Sequence, residues 1–96
     1  MSEPLPTFEQ FERDARADGA DEVLVRAWAP NQVVATHSHP FDAEAIVVQG
    51  EMWLRSGDET LHLRPGGTFS LPAGTPHDER YGPEGAVYWV ARRNVG

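Results

Sequence analysis

From Val23 onward, short runs of apolar and β-branched residues alternate with clusters of glycine, proline, asparagine and aspartate. Such turn residues interrupt the chain too often for long helices, and they favour short strands joined by tight turns. The predicted strands span residues 23–28, 33–39, 45–48, 52–54, 61–63, 68–71 and 86–91. So many short strands in a chain of 96 residues are typical of a sandwich or a small barrel. The sequence therefore predicts an all-β fold with a closed or rolled sheet.

The N-terminal segment has a different periodicity and predicts one short helix. Thr7 and Gln10 match a capping box, in which the hydroxyl and the amide satisfy backbone donors reciprocally. Apolar residues then recur at helical spacing, at Phe8, Phe11 and Ala15. Gly19 suits the end of this helix because glycine adopts the left-handed conformation without strain. We expect a helix and a connecting segment over residues 1–22 and a single barrel over residues 23–96.

The composition argues against several classes of function. Fifteen acidic residues against eight basic ones give a net charge of −7, whereas nucleic acids and anionic membranes attract basic surfaces. The chain has no cysteine for a disulfide or a thiolate site and no lysine for a Schiff base. No apolar run reaches the roughly 18 residues of a membrane helix, and the acidic N-terminus lacks the features of a signal peptide. We expect a cytoplasmic protein with neither a nucleic-acid nor a membrane partner.

The histidines carry the strongest chemical signal in the sequence. His37 and His39 are separated by one residue, so on a strand both side chains leave the same face. Two imidazoles on one face lie within about 7 Å of each other and can share a metal ion. Two partly exposed strand histidines without a metal would give the same spacing. His77 follows the turn residues 72–76, which are expected to deliver it at the start of another strand.

Two stretches resemble the paired motifs of the cupin superfamily. Residues 31–50, NQVVATHSHPFDAEAIVVQG, resemble the first motif, and residues 66–81, GGTFSLPAGTPHDERY, resemble the second. The matching positions are His37, His39 and Gly50 in the first motif and Gly66, Pro72, Gly74 and His77 in the second. The resemblance implies a cupin-type double-stranded β-helix, or jelly-roll barrel. It also implies that His37, His39 and His77 hold a metal ion inside this barrel.

The chain departs from the cupin pattern at three positions. Asn31 stands in place of the opening glycine, and Tyr81 stands where the second motif often has asparagine. Cupins usually supply a glutamate ligand seven residues before the closing glycine, where this chain has Ala43 with Glu44 beside it. Because neighbouring residues on a strand face opposite ways, we expect Glu44 to point away from the metal unless a bulge re-aims it. A three-histidine site, completed by water or substrate, is the predicted arrangement.

Glu79 is a further candidate for the site. It shares strand parity with His77 and Tyr81, so the three side chains can face the barrel interior together. A carboxylate in that position would serve as a fourth metal ligand, as a partner that orients an imidazole, or as a general base. A solvent-facing acid in a loop is the alternative, and the sequence does not decide between them.

Three other groups of residues are expected to be structural. His62 lies between Leu61 and Leu63, which are predicted to face the core, so His62 is expected to face solvent or a partner. Arg92 and Arg93 are expected to form a solvated end of the chain. The three tryptophans are expected to pack in the core or at an interface, and in the alternative interpretation one of them lines a ligand pocket. They are Trp28, Trp53 and Trp89.

These observations predict a metal-binding single-domain cupin that acts on or binds a small anionic organic molecule. Three imidazoles with an open position suit a divalent ion such as zinc, iron, nickel, manganese or copper. A site without a ligand carboxylate is also more positive, which favours an anionic ligand. Three functions stay open. The first is a metal-dependent oxygenase, isomerase or lyase, and the second is a non-catalytic binding or sensing module. The third is a protein shell that associates with partners through its exposed strands. No catalytic residue is assigned.

We also expect a homodimer. Small cupins have open sheet edges and a core near the lower size limit for a stable domain, and association covers both.

Overall fold

The computed structural model describes residues 5–94, and these form one helix followed by six strands. The elements are the helix α1 (Phe8–Ala17) and the strands β1 (Glu22–Trp28), β2 (Val33–His37), β3 (Phe41–Ser56), β4 (Glu59–Leu63), β5 (Thr68–Leu71) and β6 (His77–Asn94). All strand pairs are antiparallel. Strands β1, β4 and β5 lie close to their predicted bounds, whereas β3 and β6 are much longer than predicted.

Strands β3 and β6 organise the sheet because they pair with each other over nearly their whole length. Phe41 lies opposite Asn94 at one end of this ribbon, and Arg55 lies opposite Asp78 at the other. At the Phe41 end, β1 and β5 flank the ribbon, whereas β2 and β4 flank it at the other end. The ribbon thus belongs to two four-stranded layers, β1–β6–β3–β5 and β2–β6–β3–β4. This arrangement confirms the predicted jelly-roll barrel with a short N-terminal helix.

Gly50 explains why two predicted strands are one. The pairing of β3 with β6 shifts register on both sides of this residue, between Val47 and Gln49 and between Gly50 and Met52. Gly50 has a φ of 71°, and a Cβ atom there would lie 2.1 Å from the Gly85 carbonyl oxygen. The chain therefore bends at a bulge without ending the strand. The predicted break at Gly50 was wrong because glycine also permits close approach of two backbones.

The core lies between the two layers and follows the alternation of the strands. On β3, the side chains of Ala43, Ala45 and Val47 are buried, whereas Glu44 between them is exposed. After the bulge at Gly50, the side chain of Met52 again faces inward, and it is fully buried. The other members of the buried apolar cluster are Leu54, Leu63, Phe69, Leu71, Tyr81, Ala86, Tyr88 and Val90.

Helix α1 packs on the outer face of the layer that contains β1. The predicted capping box is confirmed: the Gln10 amide N–H donates to Thr7 Oγ1 over 3.1 Å, and the Thr7 N–H donates to Gln10 Oε1 over 3.0 Å. Phe8 and Phe11 then contact Trp89, with ring centroids 5.4 and 6.0 Å apart. Within residues 5–94, no helix is long and apolar enough to cross a membrane.

Candidate metal centre

Three histidines, two on neighbouring strands and one in a connection, meet at one end of the barrel. His37 is the last residue of β2, and His77 is the first residue of β6, directly opposite it in the register. His39 follows two residues later, in the connection to β3. The predicted strand over residues 33–39 therefore ends earlier than expected, at His37. The pairing of β2 with β6 nevertheless places all three imidazoles together.

The imidazoles are close enough to serve one ion. The ring centroids of His37 and His77 are 4.4 Å apart, those of His37 and His39 are 4.7 Å apart, and those of His39 and His77 are 5.2 Å apart. One candidate ligand atom from each residue lies within 4.8 Å of the others. Two nitrogens bound to one ion at about 2.1 Å would be at most about 4.2 Å apart, so metal binding would draw the imidazoles closer together.

Backbone carbonyls orient two of the three rings. The Nδ1 atom of His37 lies 2.8 Å from the Ala35 carbonyl oxygen, and the Nδ1 atom of His77 lies 2.9 Å from the Thr75 carbonyl oxygen. A carbonyl oxygen only accepts, so each Nδ1 carries the proton and donates it. The lone pair of each neutral ring is then on Nε2, which is the tautomer that metal-binding histidines commonly adopt.

His39 lacks such a backbone partner among the described contacts and is held by packing. Its ring stacks on Phe41 at a centroid distance of 4.8 Å and an interplanar angle of 14°. Burial lowers the pKa of His39 below 6.5, and its electrostatic interactions with the neighbouring His37, His77 and Arg92 side chains lower it further. The environment thus favours the neutral imidazole, which is the form that binds a metal ion.

Glu79 lies beside the histidines and is almost fully buried, with an exposed fraction of 4%. Its Oε2 atom is 3.8 Å from His37 Nε2. The Tyr81 hydroxyl donates to Glu79 Oε1 over 2.6 Å, and the Tyr88 hydroxyl donates to the same atom over 3.4 Å. Burial and, to a smaller extent, the Glu79 charge raise the pKa of Tyr88 to about 12. Burial likewise raises the pKa of Tyr81 well above its usual range, so both phenols stay protonated at neutral pH.

The histidines open into a cavity of about 70 Å³ inside the barrel. Glu79 and Tyr88 form part of its wall together with apolar side chains. Arg26 on β1 and Arg92 on β6 also line it, so the expectation that Arg92 belongs to a solvated end is wrong. Arg92 follows the parity of Tyr88 and Val90, which places it on the inner face of β6.

Ala43 stands at the position where the first motif usually has a glutamate ligand, and it differs from its neighbour Glu44 in burial and in the face that it occupies. Ala43 is buried and lines the cavity, whereas Glu44 is exposed on the other face of β3. The register has no bulge at this point, because Ala43 pairs with Leu71 and Glu44 pairs with Ser70 in sequence. Glu44 therefore lies on the opposite side of the strand from the three histidines.

The sequence of residues 24–91 matches the family model of the cupin domain. This chain belongs to the cupin family. No curated protein matches its sequence.

Several solved cupin-like structures resemble this one. A structure reported among those of the DMSP lyases RdDddP and RnDddQII shares 28% identity over 77% of this cupin, with a TM-score of 0.71, and the match spans 38% of that longer chain. The TT1209 protein of Thermus thermophilus shares 30% identity over 73% of this chain and 69% of its own, with a TM-score of 0.64. A protein of unknown function from Rhizobium leguminosarum, 21% identical, shares the fold over 99% of this cupin and 100% of its own chain, with a TM-score of 0.73.

The fourth histidine of this cupin lies outside the barrel. His62 stacks on Trp53 at a centroid distance of 4.6 Å, and its Nε2 atom is 2.8 Å from Glu51 Oε2. Leu61 and Leu63 lie opposite buried Leu54 and Met52, so both are on the inner face as expected, although Leu61 is 37% exposed. This cluster of Trp53, His62 and Glu51 is called the outer histidine cluster below.

The tryptophans of this cupin have three different surroundings. Trp28 lines the cavity and stacks on Tyr81, with centroids 5.0 Å apart and an interplanar angle of 12°. Trp89 packs under the helix, and Trp53 belongs to the outer histidine cluster. Sequence reasoning left open which tryptophan lines a pocket, and it missed Arg26 and Tyr88 as cavity residues. The signal available in the sequence was strand parity alone, since Arg26 lies two residues before Trp28 and Tyr88 lies two residues before Val90.

Proposed function

We propose that this cupin binds one divalent metal ion through His37, His39 and His77. The observation that carries the proposal is the convergence of the three imidazoles, two of which have Nδ1 engaged by a carbonyl and Nε2 free for a ligand bond. Neutral nitrogen donors of this kind suit zinc, iron, nickel, copper or manganese.

Glu79 strengthens the fit between the site and a cation. When His37 is neutral, its Nε2 atom and Glu79 Oε2 are both electron-pair donors, and they lie 3.8 Å apart. A lone pair and a negatively charged oxygen at this distance repel each other unless a cation lies between or beside them. Glu79 therefore stands as the fourth ligand or as the carboxylate that orients the site, and Glu44, on the outer face, has neither role.

The second part of the proposal is that the cavity holds a small anionic organic molecule. A bound divalent ion would act there as a Lewis acid that polarises an oxygen atom of this molecule. Apolar side chains form part of the cavity wall, and the protonated hydroxyls of Tyr81 and Tyr88 donate hydrogen bonds to Glu79 Oε1. These residues can hold or move a proton next to the bound molecule, which supports an enzyme of the lyase or isomerase type.

The similarity to a structure reported with DMSP lyases supports the same class of function. That similarity covers 77% of this chain but 38% of the other, so lyase chemistry comes to this cupin only as part of the proposal. A non-catalytic binding or sensing module is the alternative, because the same cavity would hold a ligand without converting it.

One experiment separates the two functions. The protein loaded with zinc, manganese or iron is screened by thermal shift against short-chain organic acids, and each stabilising acid is incubated with the protein and followed by NMR. We expect stabilisation by at least one acid and a new set of product signals that disappears with Glu79→Gln. Stabilisation without any product at all three metals would favour the binding module, and no stabilisation by any acid would contradict the proposed ligand class.

We further propose that the chain forms a homodimer. Strands β1 and β2 lie at sheet edges, and each has a strongly exposed valine, Val25 at 55% and Val33 at 70%. Unpaired strand edges with apolar side chains favour association with a second copy. Sedimentation at tens of micromolar should give the mass of two chains, and a monomer throughout that range would contradict this proposal.

A further inference from the structure

Two guanidinium groups line the cavity, and neither has an acidic partner within the described residues. Arg26 and Arg92 contact the same cavity as the three histidines, yet no ion pair of residues 5–94 includes either of them. Each lies instead against an aromatic ring: Arg92 Cζ is 4.5 Å from the centroid of Phe41, and Arg26 Cζ is 5.1 Å from that of Trp28. Aromatic faces stabilise these cations only in part.

The charges around the cavity are therefore unbalanced. Among residues 5–94, Glu79 is the one acidic residue in its wall, and its carboxylate already accepts from two tyrosines and lies beside His37. Two arginines against one carboxylate leave an excess positive charge, and a divalent ion would increase it. A partly buried excess charge is costly unless a counter-charge accompanies it.

Hydrogen-bond donors are in excess as well. Within the described chain, two buried side-chain polar atoms lack a hydrogen-bond partner, Trp28 Nε1 and Arg92 Nε, and both belong to cavity residues. The Trp28 indole lies near the Tyr88 hydroxyl without reaching hydrogen-bond geometry. Both atoms are donors only and are covered by protein, so they show that this part of the wall is rich in donors and poor in acceptors.

We infer that the cavity recognises its ligand by a carboxylate group, which Arg92 and Arg26 bind. This inference rests on the proposed function, because it names the chemical class of the molecule that the cavity holds. A carboxylate is planar and accepts two parallel hydrogen bonds from the planar guanidinium fork. A cavity of about 70 Å³ has room for a few water-sized groups, since each needs about 10–15 Å³. Arg92 and Arg26 thus select a short-chain carboxylate.

The test measures binding of propionate, propionamide and inorganic phosphate at one ionic strength, by calorimetry on the metal-free and the zinc-loaded protein. Propionate and propionamide have nearly the same shape, so their comparison isolates the carboxylate charge. We expect propionate to bind at least about tenfold more tightly than propionamide, as charge-assisted hydrogen bonds predict. Phosphate also pairs with a guanidinium fork, but it has no apolar group for the apolar part of the cavity wall, so it should bind more weakly than propionate.

The variants assign this preference to the arginines. Arg92→Gln and Arg26→Gln should each weaken propionate binding by about tenfold and leave propionamide binding unchanged. Arg64→Gln removes the same charge from a side chain that is 74% exposed and outside this cavity, so it should change propionate binding by less than about twofold. Circular dichroism checks folding. Arg92→Lys keeps the charge without the planar fork and should lose part of the affinity.

Three results would overturn the inference: equal binding of propionate and propionamide, tighter binding of phosphate, or an equal loss with Arg64→Gln. Metal content is counted separately by mass spectrometry. Propionate binding to a chain that takes up no zinc would leave the inference standing and contradict the proposed metal site. Zinc binding without any preference for propionate would contradict the inference alone.

Discussion

The inner and outer histidines show that the surroundings of an imidazole decide what it can bind. At the end of the barrel, His37 and His77 donate Nδ1–H to backbone carbonyls, so their Nε2 atoms are left for another ligand. On the outer face, His62 already has Glu51 at 2.8 Å from Nε2 and lies flat against Trp53. Both regions combine histidine with a glutamate, but only the inner one brings three imidazoles together.

The difference comes from strand pairing. His37 and His77 are cross-strand neighbours on β2 and β6, and the short connection after β2 adds His39. His62 is the cross-strand neighbour of Trp53, on the opposite face of the sheet from buried Met52 and Leu63. A histidine next to a glutamate is thus an insufficient sign of a metal site. Convergent, unengaged ring nitrogens are the more specific sign.

The largest effect that separates the two regions is expected from metal removal. Zinc at a thousandfold excess over its dissociation constant should stabilise the folded chain by about 4 kcal/mol, since an ion that binds only the folded state shifts the unfolding equilibrium. Thermal unfolding with zinc and with excess chelator measures this change. His62→Ala should retain the full shift, and a loss of the shift in that variant would place the ion in the outer histidine cluster.

The next largest effect is expected from the glutamates. Glu79→Gln removes a negative charge 3.8 Å from His37 Nε2, and metal affinity should fall by about 10–100-fold, as for other groups that support metal ligands. Glu51→Gln makes the same chemical change beside His62 and should leave the affinity unchanged. Competitive titration with a metal indicator measures both. Equal losses in the two variants would mean that overall charge, not position, sets the affinity.

A pH titration of the metal-free chain should show a smaller effect. The pKa of His39 is lowered from 6.5 in the folded state, so below that pH the unfolded chain binds more protons than the folded chain. The free energy of unfolding should therefore decrease as the pH falls from 6.5 towards the folded-state pKa of His39. Urea unfolding at several pH values measures this decrease. His39→Gln should reduce the slope in this window, and an unchanged slope would remove His39 as its source.

The smallest effect is expected at Glu44. The Glu44 side chain is exposed on the far face of β3, so solvent and salt screen its charge from the metal site. Glu44→Gln should therefore change metal affinity by less than about twofold. Ala43→Glu places a carboxylate on the buried cavity face and should tighten manganese binding, which favours oxygen ligands. Metal titration of both variants tests the pair. A large loss with Glu44→Gln would show that this carboxylate reaches the site.

Much of the barrel could be predicted because alternation and turn residues are local signals. β5 has its predicted bounds, and the Thr7–Gln10 capping box forms as expected. The continuity of β3 through Gly50 could not be predicted in the same way. That residue accommodates the Gly85 carbonyl of another strand, and such a contact exists only after the chain has folded.

The candidate site shows a similar limit. The spacing of His37 and His39 and the motif around His77 indicated which imidazoles to consider, and the register argument placed Glu44 on the outer face. Arg26 and Arg92 were missed because an arginine near a chain end or an edge strand is usually solvated. Their position on the cavity wall follows from the pairing of β1 with β6, which the sequence alone did not reveal.

Metal content per chain is the most direct test of the three-histidine site. Native mass spectrometry of the wild type, of a double variant with His39→Ala and His77→Ala, and of His62→Ala should be compared at one zinc concentration. The structure predicts close to one zinc per chain in the wild type and in His62→Ala, and none in the double variant, because an ion left with His37 and Glu79 has too few ligands. Full zinc occupancy in the double variant would contradict the assignment of the metal centre to these histidines.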